Sequence, residues 1–288
     1  MRSVLDLLRG DHASVLVGVH TALAAKIAEE AGVDGLWISS FEVHAAARLP
    51  DADILGTQDY LEIANRIVDR VQSPVLVDGN AGGGNAINTI RMVREFHKAG
   101  TSGICIEDNV FPKRCTFYDG MQEDIEKTST FCGKLDAALD SRPDDKFAVI
   151  ARTEALTKGL GMDVALERCH AYAERGVDGI LIHHKGKDKE SVLEFAQKWR
   201  TDHDTPLVCV PTTYGEVTYD ELDQAGFKLI IMANAGVRAQ VRALQDTMQG
   251  LMANRRLADI EDKIVPMAEI FRLVYVDELR ANEDRYVR

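Results

Sequence analysis

The sequence has few prolines, cysteines and aromatic residues. Among its 288 residues it contains 7 prolines and five cysteines, and aromatic residues make up only 6%. The cysteines are odd in number and no two are spaced as Cys-x-x-Cys; they lie at positions 105, 115, 132, 169 and 209. A disulfide framework and a zinc knuckle are therefore not indicated, and we expect a protein of a reducing compartment.

Basic residues are also scarce relative to acidic ones. The 34 lysines and arginines face 46 aspartates and glutamates, which gives a formal net charge of −12. Such a surface repels polyanions, so neither nucleic acid nor an anionic membrane is expected as a partner. No apolar run approaches the roughly 18 residues of a membrane span. Because Asp6, Arg9 and Asp11 interrupt the start, no signal peptide is indicated, and we expect a cytoplasmic location.

What the sequence does contain is a repeated unit in which a glycine precedes a short apolar run. The unit occurs at 31–39, 99–107, 175–183 and 225–232. A glycine just beyond a helix supplies the left-handed conformation that commonly ends helices. A continuous apolar run of this length is typical of a strand that is buried on both faces. The repeat therefore predicts helices that alternate with parallel strands.

Further apolar runs bring the number of predicted strands to eight. They lie at 14–19, 74–77, 147–151 and 207–210, and helical patterns occupy Thr21–Ala31, Tyr60–Val71, Ala86–Ala99, Met162–Arg175, Lys189–Arg200 and Val237–Ala253. Eight such units in about 250 residues are typical of the α/β class, as a (β/α)8 or TIM barrel. The alternative is an open doubly wound sheet, but no G-x-G-x-x-G follows the first strand.

Helical sequence continues beyond the eighth strand to Arg288. A barrel needs about one helix after its last strand, so the remainder is surplus. No linker or low-complexity stretch marks a second domain. We therefore predict a single domain over residues 1–288, in which 255–288 form a helical extension that packs on a neighbouring subunit or caps the barrel.

Candidate functional side chains stand where the predicted strands end, which is where barrel enzymes carry their catalytic groups. They are Trp37, Ser39, Asp78, Asn80, Glu107, Asp108, Arg152, Glu154, His183, Thr212, Thr213 and Asn234. Acidic side chains in an oxygen-rich setting without cysteine suit a hard cation such as Mg²⁺. Arg152 and His183 suit a carboxylate or a phosphoryl oxygen. The sequence thus predicts a metal and an anionic ligand in one mouth.

Each of these residues also has a purely structural interpretation. An Asp or Glu at a strand end can cap the next helix or pair with an arginine, and His183 can be a hydrogen-bonded core histidine. Trp37 can pack in the core. The long segment 109–133 is either a lid over the mouth or a surface excursion. The convergence of polar groups at one end of successive units favours the functional interpretation.

Seven stretches of the chain carry motifs that occur together in one enzyme family. They are 36–41 (LWISSF), 50–53 (PDAD), 78–85 (DGNAGGGN), 107–113 (EDNVFPK), 150–155 (IARTEA), 180–183 (ILIH) and 261–273 (EDKIVPMAEIFRL). The ED-x-x-FPK stretch after a strand is the most specific of them. Over nearly the whole chain, these stretches resemble the phosphoenolpyruvate mutase/isocitrate lyase superfamily, in its mutase and phosphonopyruvate hydrolase branch.

The resemblance implies a barrel that swaps its last helix with a neighbouring subunit and assembles as a homotetramer, a dimer of dimers. It also implies Mg²⁺, with Mn²⁺ as the alternative, and a small anionic 2-oxo acid or enol phosphate as the substrate. Asp78 would bind the metal directly and Glu107 through water. Asn80 would accept a hydrogen bond from a metal-bound water.

The resemblance further implies roles for the remaining residues. Arg152 and His183 would hold the phosphoryl group or the carboxylate, Asp51 would lie over the reacting centre, and 109–133 would be the gating loop. The candidate catalytic residues are Asp51, Lys113, Cys115, Thr116, Arg152 and His183, and the candidate substrate contacts are Trp37, Ser39, Ser40, Phe41 and Asn234.

Two motifs depart from the family pattern. Where mutases read D-x-D-T-G, Asn80 and Ala81 replace the second Asp and the Thr, which removes one negative charge near the cation. After FPK, mutases read x-N-S and hydrolases x-T-S, whereas this chain has Cys115 and Thr116.

We predict a mutase-type enzyme that interconverts phosphoenolpyruvate and phosphonopyruvate. The alternatives are a phosphonopyruvate hydrolase that releases pyruvate and phosphate, a divergent 2-oxo-acid lyase, and a non-catalytic metabolite-binding barrel.

Overall fold

Eight parallel strands form a closed barrel in a computed structural model that describes residues 2–118 and 124–287. The strands follow one another around the barrel in chain order, and the eighth pairs with the first. They are β1 (Ser14–Val19), β2 (Gly35–Ile38), β3 (Val75–Asp78), β4 (Gly103–Glu107), β5 (Ala148–Thr153), β6 (Gly179–Ile182), β7 (Leu207–Cys209) and β8 (Phe227–Met232). The predicted (β/α)8 barrel is therefore confirmed.

Helices connect the strands and continue beyond the last one. They are α1 (Val4–Leu8), α2 (Ala22–Glu30), α3 (Ser40–Ala46), α4 (Thr57–Val68), α5 (Ala86–Lys98), α6 (Thr128–Asp140), α7 (Met162–Ala173), α8 (Glu190–Asp202), α9 (Tyr219–Ala225), α10 (Ala235–Asn254), α11 (Met267–Leu273) and α12 (Val276–Tyr286). The six predicted helices correspond to α2, α4, α5, α7, α8 and α10. Helix α4 starts three residues before its predicted start, because Asp59 Oδ2 accepts a hydrogen bond from the Gly56 N–H and caps the helix there.

The loop after β4 is shorter than the predicted segment 109–133, because the last part of that segment is helical. Helix α6 begins at Thr128 and buries Phe131, Leu135 and Ala138, which recur at helical spacing along one face. Residues 119–123, in the middle of the predicted lid, lie outside the described residues. The described parts of the segment are therefore an ordered loop before residue 119 and a helix that packs in the core.

The strands are buried on both faces, as their continuous apolar runs predict. Alternate side chains point out toward the helices, as Val75 and Val77 do, or into the barrel. The inner cluster comprises Leu16, Trp37, Leu76, Cys105, Ala148, Ile150, Leu181, Val208, Val210, Leu229 and Ile231, with Val4, Leu5, Leu7 and Leu8 from α1. The barrel interior is thus a packed apolar core, and the candidate functional groups lie at the strand ends.

Helix α1 closes the amino end of the barrel. Its Leu7 and Leu8 are almost completely buried in the inner cluster. A Cβ placed on Gly35, the first residue of β2, would lie 3.3 Å from Leu7 Cδ1, and one on Gly179, the first residue of β6, would lie 3.3 Å from Leu8 Cδ2. The absence of side chains at these two strand starts therefore leaves the space that the leucines fill.

The chain divides into two compact units, the first ending at Ala235 and the second beginning at Gly236. The second unit contains most of α10, two short 3-10 turns at Leu257–Asp259 and Glu261–Lys263, and helices α11 and α12. The predicted helical extension over 255–288 is thus present, and its role in oligomer contacts stays a prediction. No helix within residues 2–118 and 124–287 is long and apolar enough to cross a membrane.

We expect Leu7→Ala to lower the free energy of unfolding by about 2–5 kcal/mol, because it opens a cavity in a closed core. The matched control is Leu23→Ala on α2, where the leucine is 46% exposed and its loss leaves the core intact. Urea unfolding followed by circular dichroism measures both changes. Equal midpoints for the two variants would show that α1 does not seal the barrel.

Candidate active site at the carboxyl end of the barrel

Charged side chains from neighbouring strands meet at the carboxyl end of the barrel. Asp78 ends β3, Glu107 ends β4, and Arg152 is the residue before the end of β5. Glu107 and Arg152 are aligned partners in the β4–β5 ladder. His183 directly follows β6, and Ser40 begins α3 just after β2. Five strand ends thus contribute predicted residues to one region.

Lys113 enters this region from the loop after β4 and is buried among carboxylates. Its Nζ donates to Ser40 Oγ at 3.0 Å and to Asp51 Oδ2 at 3.1 Å, and lies 4.0 Å from Glu107 Oε1. The Ser40 hydroxyl lies 2.8 Å from Asp78 Oδ2, to which it donates. Burial alone lowers the pKa of Lys113, but the carboxylates around it raise that pKa well above its ordinary value. Lys113 is therefore a permanent cation.

Three hydrogen bonds join the loop that carries Lys113 to the loop that carries Asp51. The Lys113 N–H donates to Asp53 Oδ2 at 2.6 Å, and the Cys115 N–H donates to the Asp51 carbonyl oxygen at 2.8 Å. The Asp51 N–H donates to Tyr118 Oη at 2.8 Å. Burial raises the pKa of Asp53 to about 6. These contacts set the relative position of Asp51 and Lys113.

Glu107 is a buried carboxylate shared by the cations of the site. Asn109 Nδ2 donates to its Oε1 at 2.9 Å, and Arg152 Nη2 forms an ion pair with its Oε2 at 3.2 Å. Burial raises the pKa of Glu107, although Arg152 and Lys113 act in the opposite direction. Among the described residues, no donor forms a hydrogen bond with Oε2. That oxygen therefore has an ion-pair partner but accepts no hydrogen bond from the described residues.

Arg152, Glu154 and His183 form the other half of the cluster. Arg152 Nε donates to Glu154 Oε1 at 2.6 Å, and His183 Nδ1 lies 2.9 Å from Arg152 Nη2 and 2.9 Å from Glu154 Oε1. Thr116 and Thr157 each donate a hydroxyl to Glu154 Oε2, at 2.9 and 2.6 Å. Burial alone raises the pKa of Glu154, but Arg152 and His183 hold it well below its usual range. Glu154 is thus a buried anion that orients the Arg152 guanidinium and the His183 imidazole.

Asp78, Asn80 and Glu107 present oxygen atoms suited to a hard cation. Asn80 has a left-handed backbone (φ 49°), which Asn tolerates, and its N–H donates to Asp78 Oδ1 at 3.2 Å. In the described part of the chain, Asn80 Oδ1 and Glu107 Oε2 are buried and accept no hydrogen bond. Such oxygens fit Mg²⁺ or Mn²⁺. No three His, Cys, Asp or Glu side chains within 2–118 and 124–287 form a metal cluster by themselves, so Asn80 and water would complete the ligand set.

The remaining predicted site residues lie in different settings. Ser39 caps α3, Phe41 is half-buried in the first turn of that helix, and Asn234 is half-buried in the turn after β8. Trp37 packs in the inner barrel core instead of the charged cluster. Burial raises the pKa of Cys115 to about 11, so its side chain stays a thiol and is a poor nucleophile at neutral pH.

Glu154 and Asp53 belong to the cluster although neither has an assigned role in the sequence-based prediction. Glu154 stands two residues after Arg152 at the same strand end, and Asp53 closes the 50–53 motif. Their positions beside these motif residues are the sequence features that could have indicated a role in the site. What distinguishes both residues is their burial beside a cation or a backbone donor, which the sequence does not show.

A model of the phosphoenolpyruvate phosphomutase family matches residues 4–252. The crystal structure of phosphoenolpyruvate phosphomutase from Streptomyces platensis subsp. rosaceus has a TM-score of 0.96 and 40% identity, covering 99% of this chain and 98% of its own. The phosphonopyruvate hydrolase of Variovorax sp. (strain Pal2) is 36% identical over 94% of this chain and 93% of its own. A crystal structure of phosphonopyruvate hydrolase in complex with oxalate and Mg²⁺ has a TM-score of 0.93 and 34% identity, covering 99% of this chain and 98% of its own. The family that the sequence motifs indicate is thus confirmed, and this chain belongs to the phosphoenolpyruvate phosphomutase family.

Proposed function

We propose that this protein is a mutase-type enzyme that interconverts phosphoenolpyruvate and phosphonopyruvate. The observation that carries the proposal is the burial of Asp51, Glu107, Lys113 and His183, none more than 4% exposed, in one charged cluster. In this reaction the P–O bond of the enol phosphate breaks and a P–C bond forms on the same three-carbon unit. A phosphoryl group in transit is lost to water unless the site excludes it. A buried cluster of fixed charges meets that requirement.

Arg152 and His183 are the groups that we assign to the phosphoryl or carboxylate oxygens of the substrate. Glu154 engages Arg152 Nε and His183 Nδ1, so the substrate would meet the imidazole at Nε2. Fixed cationic donors stabilise the charge that spreads over a phosphoryl group during transfer. Thr116 donates to Glu154 and therefore acts on the substrate through that residue.

Asp51 and Lys113 are assigned to the reacting centre. Lys113 Nζ donates to Asp51 Oδ2 at 3.1 Å, and the Ser40 hydroxyl oxygen lies 3.4 Å from the same carboxylate oxygen. The pyruvyl oxygens would meet the backbone around Ser39 and Ser40. A protonated Lys113 beside them offsets the negative charge that develops on an enolate.

Phosphonopyruvate hydrolysis is the second candidate, and a specific feature favours it. Cys115 and Thr116 line a cavity of about 650 Å³ that is also bordered by Lys127, Lys158 and Lys185. Cys115 is smaller than the Asn that mutases carry here and offers no amide. If water reaches the phosphoryl group from this side, the P–C bond is cleaved to pyruvate and phosphate.

Phosphorus NMR of the protein with Mg²⁺ and phosphonopyruvate tests both candidates. We expect a phosphoenolpyruvate signal from the wild type, and inorganic phosphate as the sole product would support the hydrolase instead. Cys115→Asn should raise the ratio of phosphoenolpyruvate to phosphate, because the amide restores a polar group against the transferring phosphoryl. Absence of both products would refute the proposed function. An unchanged ratio would show that Cys115 does not control the access of water to the phosphoryl group.

We propose that Asp78, Asn80 and Glu107 hold Mg²⁺, and that Mn²⁺ can replace it. The proposal is supported by the buried oxygens Asn80 Oδ1 and Glu107 Oε2, which accept no hydrogen bond from the described residues, and by the Mg²⁺ in the complex of the related hydrolase. When bound, the cation supplies Lewis-acid stabilisation of enolate charge. Ser40 and the Asn80 N–H orient the Asp78 carboxylate from the two sides.

Asp78→Ala should abolish metal-dependent turnover, with a loss of at least about 100-fold, because a metal ligand is removed. Binding of Mn²⁺, followed by its electron paramagnetic resonance signal, should weaken in parallel. Asp144→Ala is the matched control, since Asp144 is an exposed carboxylate before β5, at the opposite end of the strands. Wild-type Mn²⁺ affinity in Asp78→Ala would refute the ligand assignment.

We propose that a second copy of this chain covers the exposed face of α10, and that two such pairs form a dimer of dimers. Val241, Leu244, Met248 and Met252 recur at helical spacing, and each is at least 48% exposed. Phe271 on α11 adds a further exposed apolar side chain. Soluble monomers rarely expose apolar surface in so continuous a stripe. An identical helix of a partner is a matching apolar surface.

The double variant Leu244→Glu/Met248→Glu should have a smaller molar mass than the wild type, because two buried charges destabilise an apolar interface. Ala239→Glu adds a charge at an exposed position on the opposite side of the same helix and should keep the wild-type mass. Light scattering coupled to size-exclusion chromatography measures all three. A wild-type mass equal to one chain at micromolar concentration would contradict the proposed assembly.

A further inference from the structure

His44 lies behind Asp51 and has no part in the roles assigned so far. Its side chain is fully buried in α3. Its Nδ1 lies 2.9 Å from the Ser40 carbonyl oxygen, 3.1 Å from Tyr60 Oη and 3.3 Å from Asp51 Oδ1. Three polar groups around the reacting centre therefore converge on one ring nitrogen.

Two backbone groups determine the tautomer of this imidazole. The Leu55 N–H donates to His44 Nε2 at 3.3 Å, so Nε2 is an acceptor. The Ser40 carbonyl can only accept, so the hydrogen of the neutral ring is on Nδ1. The Nδ1–H therefore donates to the Ser40 carbonyl, and Asp51 Oδ1 lies 3.3 Å from the same nitrogen.

One of these two backbone contacts ties the loop that carries Asp51 to α3. His44 and Ser40 both belong to α3, whereas Leu55 lies near the end of the loop between α3 and α4. Within this loop Arg48 and Asp53 have left-handed backbones, with φ of 58° and 52°. Non-glycine residues adopt that conformation uncommonly, so tertiary contacts must hold it. The hydrogen bond from the Leu55 N–H to His44 is one such contact.

The two oxygens of Asp51 have different surroundings. Oδ2 accepts a hydrogen bond from Lys113 and lies 3.4 Å from the hydroxyl oxygen of Ser40, which donates to Asp78. Oδ1 accepts none among the described residues, and its polar neighbour is His44 Nδ1. The orientation of the carboxylate thus depends on Lys113 on one side and on His44 on the other.

We propose that His44 is a positioning residue for Asp51: its imidazole packs against Asp51 Oδ1, with Nδ1 at 3.3 Å, while its Nε2 accepts from the Leu55 N–H and ties the Asp51 loop to α3. This inference rests on the proposed function, because it takes Asp51 as the group at the reacting centre. His44 itself does not contact the substrate. Its effect is on the geometry of a residue that does, and small displacements of such residues cost rate more than affinity.

The test compares two substitutions that keep different halves of the ring. His44→Asn retains an N–H donor near Nδ1, and His44→Gln places an amide near Nε2 and removes the N–H group beside Asp51 Oδ1. With Mg²⁺ and phosphonopyruvate, we expect His44→Gln to lower kcat by about 10-fold with KM changed by less than about twofold. His44→Asn should keep kcat within about threefold of the wild type. The melting temperatures of the two variants should agree.

Each other result decides against the proposal. Equal kcat values for the two variants, whether both are retained or both are lost in proportion to melting temperature, would show a packing role only. If His44→Gln does not fold, His44→Asn decides alone: retained kcat supports the proposal, and a lost kcat with an intact fold overturns it. Lack of turnover in the wild type would instead refute the proposed function, so the two failures are distinguishable.

Discussion

The site depends on one ion pair, between Glu107 and Arg152 on adjacent strands. The two residues are aligned in the β4–β5 ladder, and Arg152 Nη2 lies 3.2 Å from Glu107 Oε2. Removal of one partner of a buried pair commonly costs about 3–5 kcal/mol, because the other charge is left without compensation. Lys113 lies beside Glu107, and Glu154 binds Arg152, so the pair joins the two halves of the cluster.

Charges of opposite sign alternate through the cluster, and this order explains how an acidic protein can bind an acidic substrate. Lys113 and Arg152 are buried cations whose pKa values are raised well above normal by the carboxylates around them. The net charge of −12 is spread over the chain, and exposed charges are screened beyond about 8–10 Å. In the mouth an anion meets the fixed cations Lys113 and Arg152 and the proposed metal at short range, whereas the exposed surface charge is screened.

The barrel could be predicted because its strands are buried on both faces and their apolar runs are continuous. Helices α1, α3, α6 and α9 were not predicted, and α1 and α6 show two different physical reasons. Helix α1 has five residues, too short for a periodic pattern, and it is stabilised by the barrel end that it closes. Helix α6 includes Thr128, Ser129 and Gly133, which are weak helix formers, and the burial of Phe131 and Leu135 overrides that preference.

The sequence by itself determined the fold, the family and the strand ends that supply Asp78, Glu107, Arg152 and His183, because a parallel barrel brings the carboxyl ends of its strands to one mouth. Only the tertiary structure decided which of the neighbouring side chains join them. Trp37 lies in the inner core, whereas Lys113 reaches the cluster from a loop. Side-chain direction follows the pleat and loop paths follow long-range contacts, and neither is encoded in a local pattern.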